Sequence, residues 1–142
     1  MISENLKMTG ALTVSKNGEV VHQIRNLVVT AGRNLVAARL AGGGSDVTHM
    51  AVGSGTTAAE AAQTSLVSEI DRNALDVSGG TVTANAVEFT STWAEGDGTG
   101  ALTEAGLFTA VSAGTMLART VFSVVNKGVN DTITITWTVT IS

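Results

Sequence analysis

The stretch that most constrains the fold is the last one, Asp131–Ser142. From Thr132 to Ile141 it contains only β-branched residues and Trp137, the types that suit a pleated, half-buried surface. Ile133, Ile135, Trp137, Val139 and Ile141 fall on one parity; Thr132, Thr134, Thr136, Thr138 and Thr140 fall on the other. Alternation at period two predicts a β-strand with one apolar face and one hydroxyl face. Such a strand needs neighbours for its backbone groups and a second layer over its apolar face. The remaining residues must supply both.

They supply several strands. Asn17-Gly18, between Ala11–Ser15 and Glu19–Ile24, is the preferred tip of a type I′ hairpin. This tip sets Lys16 opposite Glu19 and Val14 opposite Val21. Leu27-Val28-Val29 is followed by Thr30, an expected N-cap for one helix over Ala31–Ala41, which Gly42-Gly43-Gly44 stops. Val47–Gly53 reads as a strand, with Met50 and Val52 on one face. Thr57-Ala58-Ala59-Glu60 has capping-box spacing and suggests one helical turn. Leu66–Leu75 reads as a strand, and Ser78-Gly79-Gly80 as a turn. In Thr81–Trp93 the apolar parity changes from Val82, Ala84 and Ala86 to Val87, Phe89 and Trp93. A bulge or bend near Ala86–Val87, passing from one layer to the other, accounts for this. Ala101–Ala110 is a strand interrupted by Gly106. Met116–Val125 is apolar on both parities. With turns about every ten residues, the expected fold is all-β, an antiparallel β-sandwich or jelly roll with one short helix, forming a single domain over residues 1–142.

Chemistry is sparsely signalled. Gly53-Ser54-Gly55-Thr56 lacks the Lys-Ser/Thr pair of a phosphate loop and reads as a turn. His22 and His49 are the two histidines and there is no cysteine, so no metal cluster and no disulfide is expected. Glu95 and Asp97 sit in a glycine loop as weak candidates for Ca²⁺ donors. Trp93 and Trp137 could form a sugar-stacking platform, but their parity places them in the core. No catalytic motif appears, and neither an enzyme activity, a cofactor nor a small-molecule substrate is expected. The net charge of −4 argues against nucleic acid or an anionic membrane as a partner. The N-terminus lacks the apolar core of a secretion signal.

Charged residues make up 14% of the chain, against about 25% in ordinary domains. Proline, one device that blunts sheet edges, is absent. Both features suit a surface covered by other protein. Because Met116–Val125 is two-faced, either the helix or a second copy must cover its outer side. A two-fold homodimer through Met116, Leu117, Val121, Phe122 and Val124 is the expected interface.

The run Asn26–Leu35, then His49–Thr57, Leu102-Thr103-Glu104-Ala105-Gly106-Leu107-Phe108, Met116-Leu117-Ala118-Arg119 and the terminal Thr/Ile strand occur in an order that resembles small structural proteins of tailed bacteriophages. It is most similar to the jelly-roll cement, or decoration, proteins of short-tailed phages of the Bordetella type. The resemblance covers about Asn26–Ser142, and no single functional residue carries over from it. It implies a virion protein that binds the outside of an icosahedral head, with the major capsid protein as partner. The alternative is a tail or fibre domain that binds a receptor glycan.

Overall fold

A computed structural model of the chain describes residues 5–142. Nine strands and one helix follow in the order β1 (Met8–Lys16), β2 (Glu19–Val28), α1 (Thr30–Leu40), β3 (His49–Gly53), β4 (Glu69–Ala74), β5 (Thr81–Thr83), β6 (Ala86–Trp93), β7 (Gly100–Phe108), β8 (Met116–Lys127) and β9 (Ile133–Ile141). All strand pairs are antiparallel and form one sheet in the order β4-β3-β7-β8-β2-β1-β9-β6-β5. The sheet curls into a jelly-roll-like sandwich. β2 is the corner: its first part pairs with β1, and Leu27 and Val28 pair with β8.

The terminal strand behaves as its alternation requires. Ile133, Ile135, Trp137 and Val139 are buried, while Thr134, Thr136, Thr138 and Thr140 are half-buried on the outer face. The apolar side meets Leu12, Val14, Phe89 and Trp93 from its own layer. Across the core it meets Met50, Val52, Leu102, Leu107, Leu117, Phe122 and Val125. The two ends of the sheet are sewn together beyond the ladders: Asp76 N–H donates to Thr90 O (2.8 Å), Ser91 Oγ to Ala74 O (3.0 Å) and Asn73 Nδ2 to Thr92 O (2.9 Å). The β5 edge is only three residues long. Shortness and this seam limit the edges without proline.

Several sequence expectations need correction. Asn17 (φ 52°) and Gly18 (φ 83°) do form the hairpin tip and Lys16 does face Glu19. However, a bulge between Val14 and Ser15 sets Val14 opposite His22, not Val21. The helix N-cap is Val29, not Thr30. Pairing with β8 holds the chain extended through Val29, and the Thr30 N–H is satisfied by Ala61 O (2.8 Å) instead of a capping side chain. At the other end Gly42 takes φ 81°, and the N–H groups of Gly42 and Gly43 close on Arg39 O and Ala38 O (3.0 and 2.9 Å), a Schellman ending. The expected turn of helix at Thr57 is absent, and Gln63 Oε1 instead accepts the Glu60 N–H (3.0 Å). The phase change in Thr81–Trp93 is a hairpin, not a bulge: Thr83 pairs with Ala86 across Ala84-Asn85, with Ala84 at φ 52°. β7 runs unbroken through Gly106, where a Cβ would meet Leu66 Cδ2 at 2.9 Å and Phe108 Cε2 at 3.0 Å.

The two-faced strand also has an internal explanation. In β8, Phe122, Ser123 and Val124 lie opposite the single Thr103, because Leu102 pairs with Val125 and Glu104 with Val121. The bulge resets the parity, so Phe122 and Val125 both enter the core. On the outer side, Met116 packs with Val29, Ala51, Leu66 and Phe108 in a second small core. The segment 54–68 lies over that face. The chain therefore covers much of the outer side itself.

Candidate functional site

The segment 54–68 is tied down by one buried carboxylate. Glu104, on the outer face of β7, accepts hydrogen bonds from the N–H groups of Gly55 (2.7 Å), Val67 (2.9 Å) and Ser68 (2.8 Å). Arg119, beside it on β8, donates to the same carboxylate through Nε (3.0 Å) and Nη2 (2.9 Å). Arg119 Nη1 reaches back to Thr57 O (2.9 Å) and Gln63 Oε1 (3.0 Å). Thr103 Oγ1 donates to Gly55 O (2.8 Å), and Ser54 N–H to Ser68 O (2.9 Å). Both charged side chains are 0% exposed.

Local sequence explains the approach. A Cβ on Gly53 would collide with Ser68 O, and one on Gly55 with Glu104 Oε2, so glycine is needed where the loop crosses the strand. The glycine turn does hold an anion, and the anion is the chain's own carboxylate. Burial alone would raise the pKa of Glu104. The hydrogen bonds from Val67, Ser68, Arg119 and Gly55 outweigh it and hold the group below the usual carboxylate range. Glu104 and Arg119 line neither the cavity bordered by Leu6, Met8 and Asn26 nor the one bordered by Leu35, Val47 and Phe89. The pair is a structural clasp. Its sequence signal was present: two opposite charges, each set in an otherwise uncharged strand segment.

The other candidates are scattered. His22 Nε2 lies 2.8 Å from Ser123 O, with its ring against Phe122. His49 Nδ1 lies 2.8 Å from Thr48 Oγ1, and burial and the Arg72 charge lower its pKa. Glu95 and Asp97 are exposed in their turn. Among the described residues no three His, Cys, Asp or Glu side chains gather as a metal site, and no helix is long and apolar enough to cross a membrane. Trp93 and Trp137 are fully buried, and Phe89, Phe108 and Phe122 are buried, so none of the five aromatic residues offers an open stacking face. Trp137 Nε1 donates to Asn26 Oδ1 (2.8 Å).

Of the five residues expected at a dimer interface, Met116, Leu117 and Phe122 are buried inside the chain. Met116 packs in the second small core under the 54–68 segment, and Leu117 and Phe122 pack in the main one. Val121 is half-buried, and Val124 is 52% exposed.

The surface that stands out is the hydroxyl face of β1, β9 and β6. Across these strands run the rows Thr13–Thr136–Thr90, Ser15–Thr134–Thr92 and Ala11–Thr138–Glu88. Thr92 and Thr134 hydroxyls are 3.2 Å apart. Glu88 is the one charge in these nine positions. No family model, curated protein or solved structure matches the chain.

Proposed function

We infer that the chain is a structural virion protein, a capsid cement or decoration protein that sits on the outside of an icosahedral phage head and bridges major capsid subunits. The observation that carries this reading is the hydroxyl face: nine positions across β1, β9 and β6 with one charge, rich in threonine, flanked on β2 by Arg25 and with no exposed aromatic. Such a surface loses little on desolvation compared with a charged one and offers short donors and acceptors to a facing protein. The resemblance of the Asn26–Ser142 motifs to phage cement proteins points the same way. The mechanism is linkage: a protein that binds only the assembled shell stabilises that shell. In this reading the protein is not an enzyme, uses no cofactor, and acts in the virion after assembly in the host cytoplasm. A homodimer through β8 would have to use Val124 and the accessible part of Val121.

The glycan-binding alternative loses its sugar-stacking platform, because both tryptophans lie in the core. The test is the copy number in purified particles, measured by quantitative mass spectrometry, together with add-back to heads stripped of the protein. A copy number comparable to that of the major capsid protein is expected. Thr136→Arg should leave the fold intact and weaken head binding. A few copies per particle, confined to tails, would overturn the reading.

A further inference from the structure

β1 and β2 separate after the Gly10–Asn26 pair. β1 continues along β9: Met8 pairs with Ile141, Lys7 N–H donates to Ser142 O (2.7 Å) and Ser142 N–H to Lys7 O (2.9 Å). β2 turns to β8: Leu27 pairs with Arg119, Val28 with Ala118, and Val29 N–H donates to Leu117 O (3.2 Å). Along an antiparallel ladder, successive residues send their N–H and C=O to opposite sides. Lys7 bonds toward β9, so the backbone groups of Met8 point toward β2. Val29 bonds toward β8, so those of Val28 point toward β1. No β1–β2 pair beyond Gly10–Asn26 takes them up. Two strand edges thus face each other across a wedge, a cavity of about 650 Å³ lined on both sides by these residues.

The wedge is apolar at Leu6, Met8, Leu27, Val36 and Ile141 and cationic at Lys7, Arg25 and Arg33. The chain has eight basic side chains. Lys16, Arg39, Arg72 and Arg119 are in ion pairs, and Lys127 donates to Ala94 O. The three without such a partner among the described residues are the three in the wedge, and among the described residues no Asp or Glu lines it. Asn26 adds another donor. Its Oδ1 is taken by Trp137, which fixes the amide orientation, and its Nδ2 is buried without a partner. In a chain of net charge −4, this corner gathers three cations that have no acidic partner among the described residues.

We propose that the wedge receives an extended acidic peptide segment of a partner protein, which adds as a strand between β1 and β2. Only a polypeptide backbone offers N–H and C=O groups to both strand edges at once, and its carboxylates answer Lys7, Arg25 and Arg33. A fatty acid would meet the charge and the apolar lining but leave both edges unpaired. The assignment stands apart from the capsid reading, since it rests on the wedge alone.

The test is an NMR titration of the ¹⁵N-labelled full chain with a blocked hexapeptide alternating valine and glutamate. Saturable shifts are expected at Met8–Gly10 and Asn26–Val28, with slowed amide exchange at Met8 and Val28. The same peptide with glutamine for glutamate, and the Arg25→Gln/Arg33→Gln variant with the acidic peptide, should each bind about tenfold more weakly. Affinity of the wild-type chain should fall with added salt. The proposal is overturned by absent or unsaturable shifts, by shifts elsewhere, or by equal binding of the glutamine peptide. It is also overturned if dodecanoate, and not the peptide, perturbs these amides. If the peptide reaches them only after residues 1–4 are removed, the wedge belongs to the chain's own N-terminus and the partner assignment falls.

Discussion

Replacing Glu104 by leucine and Arg119 by methionine removes a buried ion pair without leaving a buried charge. For an ordinary buried pair, this exchange is neutral or stabilising by about 1–4 kcal/mol, whereas removing one partner costs about 3–5 kcal/mol. Here the double variant should not recover. Three of the five hydrogen bonds to Glu104 come from main-chain N–H groups, those of Gly55, Val67 and Ser68, and no side-chain replacement removes those donors. A buried N–H left without an acceptor costs about 1–3 kcal/mol; the Gly55 N–H is buried and those of Val67 and Ser68 are part-buried, so the double variant should remain at least ~1 kcal/mol less stable than the wild type. In a chain of this size that lowers Tm by at least about 2–4 °C. The loss should be local first, because the main core does not pass through the clasp. Hydrogen exchange should accelerate at Gly55, Val67 and Ser68 before it does in β9, and a protease should cut within 54–68. Urea titration of both single variants and the double variant closes the cycle. A double variant as stable as the wild type, with protected loop amides, would refute the assignment of Glu104 as the anchor of this loop.

Acid should open the same clasp: Glu104 is held below its unfolded value of about 4.3, so its contribution is complete above that pH and lost as pH falls through the lower folded value. Loop-amide exchange followed from pH 6 downward should show this step in the wild type and not in the double variant. Trp137→Ala should cost about 3–5 kcal/mol, and Thr136→Ala much less, since Trp137 is buried and Thr136 lies on the outer face; similar urea midpoints for the two would contradict the face assignment. Gly10→Ala places a Cβ on the Asn26 carboxamide and should break its bond to the indole, seen as loss of the downfield Trp137 Nε1–H resonance position. Ala84→Gly should stabilise by up to about 1 kcal/mol, because Ala84 sits at φ 52°; an unchanged or lower Tm counts against strain at that turn.

The parts of the fold that were readable are those whose cause is local. The alternation of Thr132–Ile141 and the Asn17-Gly18 tip need only neighbours in sequence to declare themselves, and the helix ending at Gly42 is likewise fixed by its own glycine. The features that escaped are made by distant partners. Val29 replaces Thr30 as the cap because β8 and Ala61 reach it from elsewhere. The β8 bulge exists because Thr103 is one residue facing three. The Ala84 turn was hidden for another reason: alanine at positive φ carries no compositional mark. The surplus of apolar residues on β8 was visible, but not what covers it. Periodicity reports that a face is buried and is silent about whether the cover is a second copy or a loop of the same chain.

Several separated strings of the sequence converge on one construction. Gly53-Ser54-Gly55 brings the loop close, Glu104 in Leu102–Phe108 accepts its amides, Gly106 makes room for Leu66, and Arg119 in Met116–Arg119 closes the pair. Each residue type is required by the geometry of laying a loop across a sheet: glycine for contact, a carboxylate for three convergent N–H groups, a guanidinium to bind that carboxylate and the loop carbonyls together. The motifs therefore weigh on architecture. Partner choice must lie in residues outside them, and the molecule offers two such places with opposite character. The threonine face is broad and nearly uncharged, suited to a flat protein surface; the wedge between β1 and β2 is narrow and cationic, suited to a single strand. Arg33→Glu, on α1 and outside the threonine rows, should thus leave binding through the threonine face unchanged, and Thr136→Arg should leave the wedge unchanged. If either variant impaired both kinds of binding, the two surfaces would be one site.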